Sequence, residues 1–516
     1  MIDHDTIRFM GHIPEAQRRA RPDSLALKSG ARESSYRELA DQVGMTMAAL
    51  ARESVEPGDR IAWIGANGTE WFEAFFAVIG LRACFMPLNI RLNPAEIAYM
   101  LEDSGTRLLL VGPGESALAD AAVSRLKTPP RMVTLGFDHP EHDRLALTGD
   151  QRAPAEFRAD DDIFQLYTSG TTGRPKGVRL TNGNYEAFLR YSPRVEGFDY
   201  ESHETVLIVM PLFHVAGTNV SLAGLAHGCR VIVEPAFDPA RVLQLIEQES
   251  VAQVFLAPTL IRMLLEAPGI DGADLSSLRT VGYGASPIPE SLLAAAQARM
   301  GCQFTQYYGM TESSGSGTYL APRDHRPELL RSCGKSWPGV EAKIMRPDGC
   351  DAEVGEVGEI VISGPTVSPG YWRRDEATAE TIRYGWLHTG DAGYADENGY
   401  LFVHDRIKDM VVSGGENVYP AEVENAIASC PGVSDVAVIA VPSERWGEEV
   451  RAVIVPVAGM TVEADAVIAW AKDRIAGYKV PKSIEFVAEL PRNASGKVLR
   501  RELRDRHWQD MDRTVG

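Results

Sequence analysis

The residues with the most chemistry in them lie together, at Tyr167-Thr168-Ser169-Gly170-Thr171-Thr172-Gly173-Arg174-Pro175-Lys176-Gly177. Hydroxyls, closely spaced glycines and a lysine are what a polyphosphate needs. Glycine permits positive φ and close backbone approach, amides and hydroxyls donate to phosphoryl oxygens, and an ammonium offsets their charge. A strand-like run, Ile163-Phe164-Gln165-Leu166, precedes the segment, and a turn, Thr181-Asn182-Gly183, follows it. It is not a Walker P-loop, which reads GxxxxGK[ST]. Counted from Gly170, Pro175 stands at the second glycine and Gly177 follows Lys176. The competing reading is a plain surface hairpin, and the coincidence of so many specialised residue types in one short run argues against it.

Strands and helices must hold that segment. At 516 residues the chain is longer than the ~250–300 at which one core stops growing, so several domains or subdomains are expected. Up to about residue 330, short apolar runs (206–210, 231–233, 254–257, 280–281) alternate with helix-length stretches such as 260–265, which implies α/β layers with parallel sheet. Between 334 and 404 glycines punctuate short alternating runs, predicting an antiparallel meander or barrel. After Asp405-Arg406 a strand at 409–412, a helix after Pro420 and a strand at 436–441 predict a small α+β domain. The apolar stretch 71–88 is interrupted by Glu73 and Arg82 and reads as a buried helix and strand, not a membrane span.

Composition excludes several function classes. With 44% hydrophobic and 24% charged residues the chain is of ordinary globular type. A net charge of -19 argues against sequence-independent nucleic-acid binding, though local basic pockets for phosphorylated ligands stay open. Six cysteines lie far apart with no CxxC pair, which suits reduced thiols in a cytoplasm and supports neither a zinc site nor a disulfide framework. The acidic start Met1-Ile2-Asp3-His4-Asp5 lacks the features of a signal peptide, so a cytoplasmic protein is expected.

The segment YTSGTTGRPKG resembles the signature loop of the adenylate-forming acyl-CoA synthetases, 4-coumarate–CoA ligases, luciferases and peptide-synthetase adenylation domains. There the loop is mobile and holds the β- and γ-phosphates of ATP, which implies nucleotide contacts for Thr168, Ser169, Gly170, Thr171, Thr172, Gly173 and Lys176. Companion segments occur in family order. Gln306-Tyr307-Tyr308-Gly309-Met310-Thr311-Glu312 resembles the YGxTE element. The resemblance puts Tyr308 on the adenine, Thr311 at the α-phosphate and Glu312, with Thr168, on Mg²⁺, and carries Tyr307, Gly309 and Met310 into the nucleotide site. A hard cation bridging phosphates does want carboxylate oxygen. Gly284-Ala285-Ser286-Pro287 resembles the other wall of the adenine site, and Thr389-Gly390-Asp391 the element whose aspartate takes the ribose hydroxyls. Asp405-Arg406-Ile407-Lys408 resembles the hinge, with Arg406 reaching the ribose and Lys408 as pivot. Asn493-Ala494-Ser495-Gly496-Lys497-Val498-Leu499-Arg500-Arg501 resembles the loop carrying the catalytic lysine, Lys497. Alone, Glu312 reads as a solvated loop carboxylate and Lys497 as a solvated charge. Their company gives them roles. The resemblance runs from about 160 to 500; residues 1–150 add little to it.

It implies an α/β fold: a large N-terminal domain, 1–404, of doubly wound subdomains plus a distorted β-barrel, and a small mobile α+β domain, 405–516, that rotates between half-reactions. It also implies the reaction: ATP and a carboxylate give acyl-AMP and pyrophosphate, then coenzyme A takes the acyl group. Catalysis then needs charge neutralisation and positioning by Lys497, Lys176, Arg406 and Mg²⁺, and no side-chain nucleophile. Ser413-Gly414-Gly415 resembles the pantetheine path, assigning Gly414 and Gly415 to coenzyme A; Trp446 is assigned to its adenine. Some benzoate-type relatives carry an arginine where Val480 stands, which leaves the coenzyme's phosphates to Lys479 or to other residues. Pro211-Leu212-Phe213-His214-Val215-Ala216-Gly217-Thr218-Asn219 resembles the acyl-pocket element, with His214 as aromatic gate and Val215, Gly217, Thr218 and Asn219 lining it with Gly309. No aspartate there could pair with a substrate ammonium, so an amino acid is disfavoured. Aryl, cinnamate-like, alicyclic and fatty acids stay open, as do a monomer and a homodimer. The alternative functions are an acyl-AMP ligase loading a carrier protein, though no carrier domain follows Lys497, a luciferase-like oxygenase, and a non-catalytic nucleotide-binding module.

Overall fold

The computed structural model describes residues 2, 4–140, 142–168, 174–286, 288–406, 409–413, 416–443, 445–493 and 496–508. Three sheets organise them. The first has seven strands in the spatial order Gly370–Tyr371, Lys176–Thr181, Asp162–Thr168, Cys84–Pro87, Arg60–Ile64, Leu108–Val111, Arg131–Thr134. Its centre is parallel and its Lys176–Thr181 edge antiparallel. The second sheet holds a parallel run, Arg230–Val233, Thr205–Ile208, Val251–Leu256, Thr280–Gly284, Gln303–Tyr308, that continues into antiparallel strands. The strands alternate with helices much as the apolar runs predict.

Helices fill the space between the sheets and cover both outer faces. Thr69–Gly80 is buried on every side, as a helix packed between two sheets must be. Phe75 stacks on Phe164 of the first sheet at 4.5 Å. Val215–His227 is buried from Gly217 onward against the second sheet. The two helices share one apolar cluster, and separate clusters lie beneath the outer helices of each sheet. This is the doubly wound layering expected. The stretch 71–88 is indeed a buried helix and strand, and among the described residues no helix is long and apolar enough to cross a membrane.

One expectation is corrected. The region 334–404 is antiparallel, but it forms no closed barrel among the described residues. Ser332–Ser336 pairs with Thr318–Leu320 on one edge and Leu401–Arg406 on the other. With both edges used, the strand extends the second sheet instead of closing a new one, and Glu341–Met345 ends the row. After Leu401–Arg406 the chain enters the third sheet, of five strands, with an apolar cluster of its own built on Val411, Val438, Val450 and Ile454.

Candidate active site

The phosphate-loop segment is held at both ends by one helix. Asn93 caps Pro94–Ser104 through its side chain, with Glu96 returning the bond, and Pro94 occupies the first turn. From that helix Asp103 accepts the Tyr167 hydroxyl (2.8 Å), and the Tyr99 hydroxyl donates to the Pro175 carbonyl (3.2 Å). Arg374 completes the cluster by pairing with Asp103. Burial, then the Asp103 carboxylate, pushes the Tyr167 phenol far above its usual range, so it remains a donor. Thr168 stands opposite Lys176 in the antiparallel pair. Ser169, Gly170, Thr171, Thr172 and Gly173 lie outside the described residues.

A tyrosine absent from the sequence reading links this loop to the second sheet. Tyr371 lies on the short strand Gly370–Tyr371, paired with Lys176–Thr181. Its hydroxyl donates to Glu312 Oε1 at 2.7 Å, and Lys176 Nζ sits 5.2 Å from its ring centroid. Glu312 is only 5% exposed, and its carbonyl accepts the Ser368 amide at 2.8 Å. Thus the loop's lysine and the candidate metal carboxylate flank one phenol. No group of three His, Cys, Asp or Glu side chains suited to an ion occurs among the described residues. One buried carboxylate beside a hydroxyl-rich loop suits Mg²⁺, which keeps several waters and takes other ligands from phosphates.

The remaining nucleotide candidates sit where parallel strands end, the edge at which open α/β sheets bind ligands. Thr280–Gly284 runs out into Ala285, held at φ 68°, a left-handed conformation that costs a non-glycine residue energy. A Cβ on Gly284 would lie 2.3 Å from the Tyr307 carbonyl oxygen, so glycine is required there. Ser286 follows; Pro287 lies outside the described residues. On the neighbouring strand Gln303–Tyr308, successive side chains face opposite ways. Tyr308 donates to Asp391 Oδ2 at 2.7 Å, whereas Tyr307 packs with Phe198, Phe255 and Trp337. Of the two tyrosines, only the Tyr308 side chain stands beside Asp391. Burial first, and the Asp391 charge second, hold the Tyr308 phenol well above its ordinary range. Gly309, Met310 and Thr311 lead into the 3-10 turn Thr311–Ser313 that carries Glu312.

The acyl-pocket candidates converge less uniformly. His214 caps the helix Val215–His227; its Nε2 is buried with no hydrogen-bond partner. Burial, then Arg91, lowers its pKa to about 4, so the ring is neutral at ordinary pH. Asn67 fixes the approach to it, donating to the Met210 and Glu234 carbonyls (3.0 and 3.2 Å) and accepting the Leu212 amide (2.9 Å). A Cβ on Gly217 would lie 2.4 Å from the Pro211 carbonyl oxygen. Asn219 donates to the Ser314 carbonyl (2.8 Å) and accepts Tyr185 (3.1 Å). A Cβ on Gly315 would reach both Asn219 and Val215, and one on Gly309 would reach Gly315, so these four positions meet. Thr218 instead is fully buried and turns its hydroxyl to helix carbonyls.

Lys497 lies within a hairpin closed by the bridge between Arg492 and Val498. Gly496, at φ 83°, brings that hairpin against the end of Val251–Leu256: a Cβ on it would lie 3.4 Å from Thr259 Oγ1 and 3.8 Å from Ala257 Cβ. Thr259 and Ala257 had no distinguishing mark in the sequence. The hairpin therefore docks at the same strand edge as Gly284–Ser286 and Tyr308–Glu312. Arg406 pairs with Asp391 in register. Its side chain lies outside the described residues, as do Lys408, Gly414 and Gly415. Trp446 is 38% exposed beneath the Arg445 guanidinium, next to Gly447, which pairs with Ser413. Lys479 is paired with Glu422 at 2.6 and 2.8 Å; burial works against its charge, and the Glu422 bonds outweigh it and raise its pKa.

Comparisons with known proteins bear on this arrangement. The family model described as AMP-binding enzyme matches residues 14–372, and that of the AMP-binding enzyme C-terminal domain matches 422–497. A feruloyl-CoA synthase of Amycolatopsis sp is 42% identical over 96% of this chain and 99% of its own. A fatty acid–[acyl-carrier-protein] ligase of Streptomyces coeruleorubidus is 35% identical over 100% and 99%. Among solved structures, the o-succinylbenzoate CoA synthetase of Bacillus subtilis, in complex with its acyl-adenylate intermediate, aligns with a TM-score of 0.83 at 31% identity, covering 95% of this chain and 97% of that one.

Proposed function

The chain belongs to the AMP-binding enzymes, and from that premise we propose that it is an acyl-CoA synthetase activating a hydrophobic carboxylic acid through its acyl-adenylate. The observation that carries the reading is the docking of the Lys497 hairpin, with Gly496 against Thr259, at the strand edge that also bears Tyr308, Glu312 and Ala285. A lysine from the small domain and a nucleotide site on the large one then serve a single ligand.

A carboxylate is a poor electrophile because attack on its carbon adds charge to an anion. In the first half-reaction a carboxylate oxygen forms a bond to the α-phosphorus of ATP and the bond to pyrophosphate breaks. In the second, the coenzyme A sulfur, its proton lost, attacks the acyl carbon and AMP leaves. The carboxylate and the triphosphate repel each other, so the protein's part is placement and charge neutralisation. Lys176 and the loop 168–173 take the β/γ end; Asp391 takes the ribose hydroxyls, with Tyr308 against the base. Lys497 spans the carboxylate and the α-phosphate. Glu312 and Thr168 would hold Mg²⁺, which supplies charge neutralisation on the phosphates. The neutral His214 adds no charge of its own beside the acyl pocket.

The small residues around Gly217 and the likeness to a feruloyl-CoA synthase favour an aryl or arylacrylic acid, with alicyclic and fatty acids next. We assign 1–404 to the nucleotide and acyl domain and 405–516 to the mobile one. Six unpaired cysteines fit a cytoplasmic location. The test is a panel of such acids with ATP, Mg²⁺ and coenzyme A, read as AMP and thioester. If no acid supports exchange of labelled pyrophosphate into ATP, the proposal falls. The carrier-protein relative keeps a second reading in view, and coenzyme A-dependent AMP release separates the two.

A further inference from the structure

We infer that Arg492 is a positioning residue for adenylate formation, holding the peptide unit that precedes Lys497 while anchored on Asp435; this rests on the role proposed for Lys497. The Arg492 guanidinium is a fork with two engagements. Nη1 donates to the Gly496 carbonyl at 2.6 Å, and Nη2 donates to Asp435 Oδ2 at 2.5 Å. Asp435 is a firm anchor. It lies on the strand Val433–Ser443, paired along its length with Gly447–Pro456, and its other oxygen accepts the Val436 amide at 3.0 Å.

The Gly496 carbonyl and the Lys497 amide belong to the same peptide plane. Its oxygen is held by Arg492, and its N–H donates to Asn493 Oδ1 at 2.8 Å. A plane gripped at both edges cannot rotate, so the direction in which the Lys497 side chain leaves the backbone is set. Gly496 needs that grip most, because its left-handed φ of 83° comes without a side chain to restrain it. Asp435 also cancels the guanidinium charge, so Arg492 does not compete with Lys497 for an anionic ligand. A lysine could reach one partner but could not span both as a planar fork does. All these contacts lie within the small domain. They shape the hairpin in either domain orientation and matter to chemistry only when it is docked beside Thr259.

The test separates the half-reactions. Arg492→Ala should lower kcat for adenylate formation by about 10- to 100-fold, the scale of an ångström-sized misplacement, with KM for ATP within about twofold. Thioester formation from supplied acyl-adenylate should stay within about twofold of the parent. Arg492→Lys should recover part of the loss, and Arg492→Ala combined with Asp435→Asn should be no worse than Arg492→Ala alone. Equal losses in both half-reactions, an unaffected adenylation rate, or multiplying losses in the double variant would overturn the inference. A parent enzyme that adenylates no acid would overturn the proposed function instead. The clamp is then read by trypsin cleavage after Lys497, which Arg492→Ala should accelerate; an unchanged cleavage rate overturns it.

Discussion

Replacing Tyr371 by phenylalanine removes one oxygen atom and tests whether Glu312 is a metal carboxylate held by its neighbour. The phenol donates to Glu312 Oε1 at 2.7 Å, a short charge-assisted bond to a carboxylate that is 5% exposed. Hydrogen bonds to charged groups are worth about 1.5–3 kcal/mol net, or roughly 10- to 150-fold at 1.36 kcal/mol per decade. Outer partners of metal ligands lose about 10- to 100-fold when removed, which narrows the range. The ring itself stays. It keeps its place 5.2 Å from Lys176 and in the pairing with Val178, so the phosphate loop's lysine is undisturbed. The expected result is a rise of about 10- to 100-fold in the Mg²⁺ concentration giving half-maximal pyrophosphate release, at saturating ATP and acid. Melting in the absence of Mg²⁺ should show a stability loss of no more than the roughly 1.5–3 kcal/mol of the missing bond, and Tyr371→Leu should add a loss in apparent ATP affinity because the ring is gone. If Tyr371→Phe leaves the Mg²⁺ half-saturation within about twofold of the parent, the hydroxyl does not position the metal ligand and the reasoning fails.

Lys497→Ala should slow adenylate formation by about 10²–10³ and spare thioester formation from supplied acyl-adenylate; equal losses in the separate assays would remove its assignment. Gly217→Ala places a methyl 2.4 Å from the Pro211 carbonyl oxygen, so the segment bearing His214 must move. A cost of about 1–3 kcal/mol in stability and a raised KM for the acid are expected; an unchanged melt and KM would show that the segment yields freely. Burial pushes the Glu73 carboxyl up to about 7 from 4.5, with Arg32 opposing and Glu70 adding to the rise. The folded chain then keeps a proton that the unfolded chain releases, so stability falls as pH rises from 4.5 to about 7 and stays lower above. Glu73→Gln should abolish that fall and, by about 3 kcal/mol at most, gain on the parent in melts from pH 5 to 8; a constant difference between them refutes the assignment.

What could be read in advance divides by how far apart the partners lie in the chain. The phosphate loop, the turn before Glu312 and the hairpin at Lys497 are each contiguous, because a polyphosphate demands glycines, hydroxyls and cations within one turn of backbone. The run 71–80 betrays a buried helix because its apolar residues leave no polar stripe. The residues that hold those segments carry no such mark. Tyr371 is 59 positions from Glu312, Asp103 is 64 from Tyr167, and Asn67 is 143 from Met210. Each is an ordinary polar residue until the sheet order brings its partner to it. The barrel expectation failed for the same reason. Alternation predicts antiparallel strands, but closure depends on which edges remain unpaired, and Ser332–Ser336 has neither edge free. Tyr307 differs again, since strand alternation alone turns its ring to the face opposite Tyr308. Chemistry that acts on a ligand is therefore local and legible, whereas the geometry that aims it is distributed. On that account the informative substitutions are the aiming residues, Tyr371 and Arg492. Each leaves the reacting groups in place, so a loss on changing either one reports position and not missing chemistry.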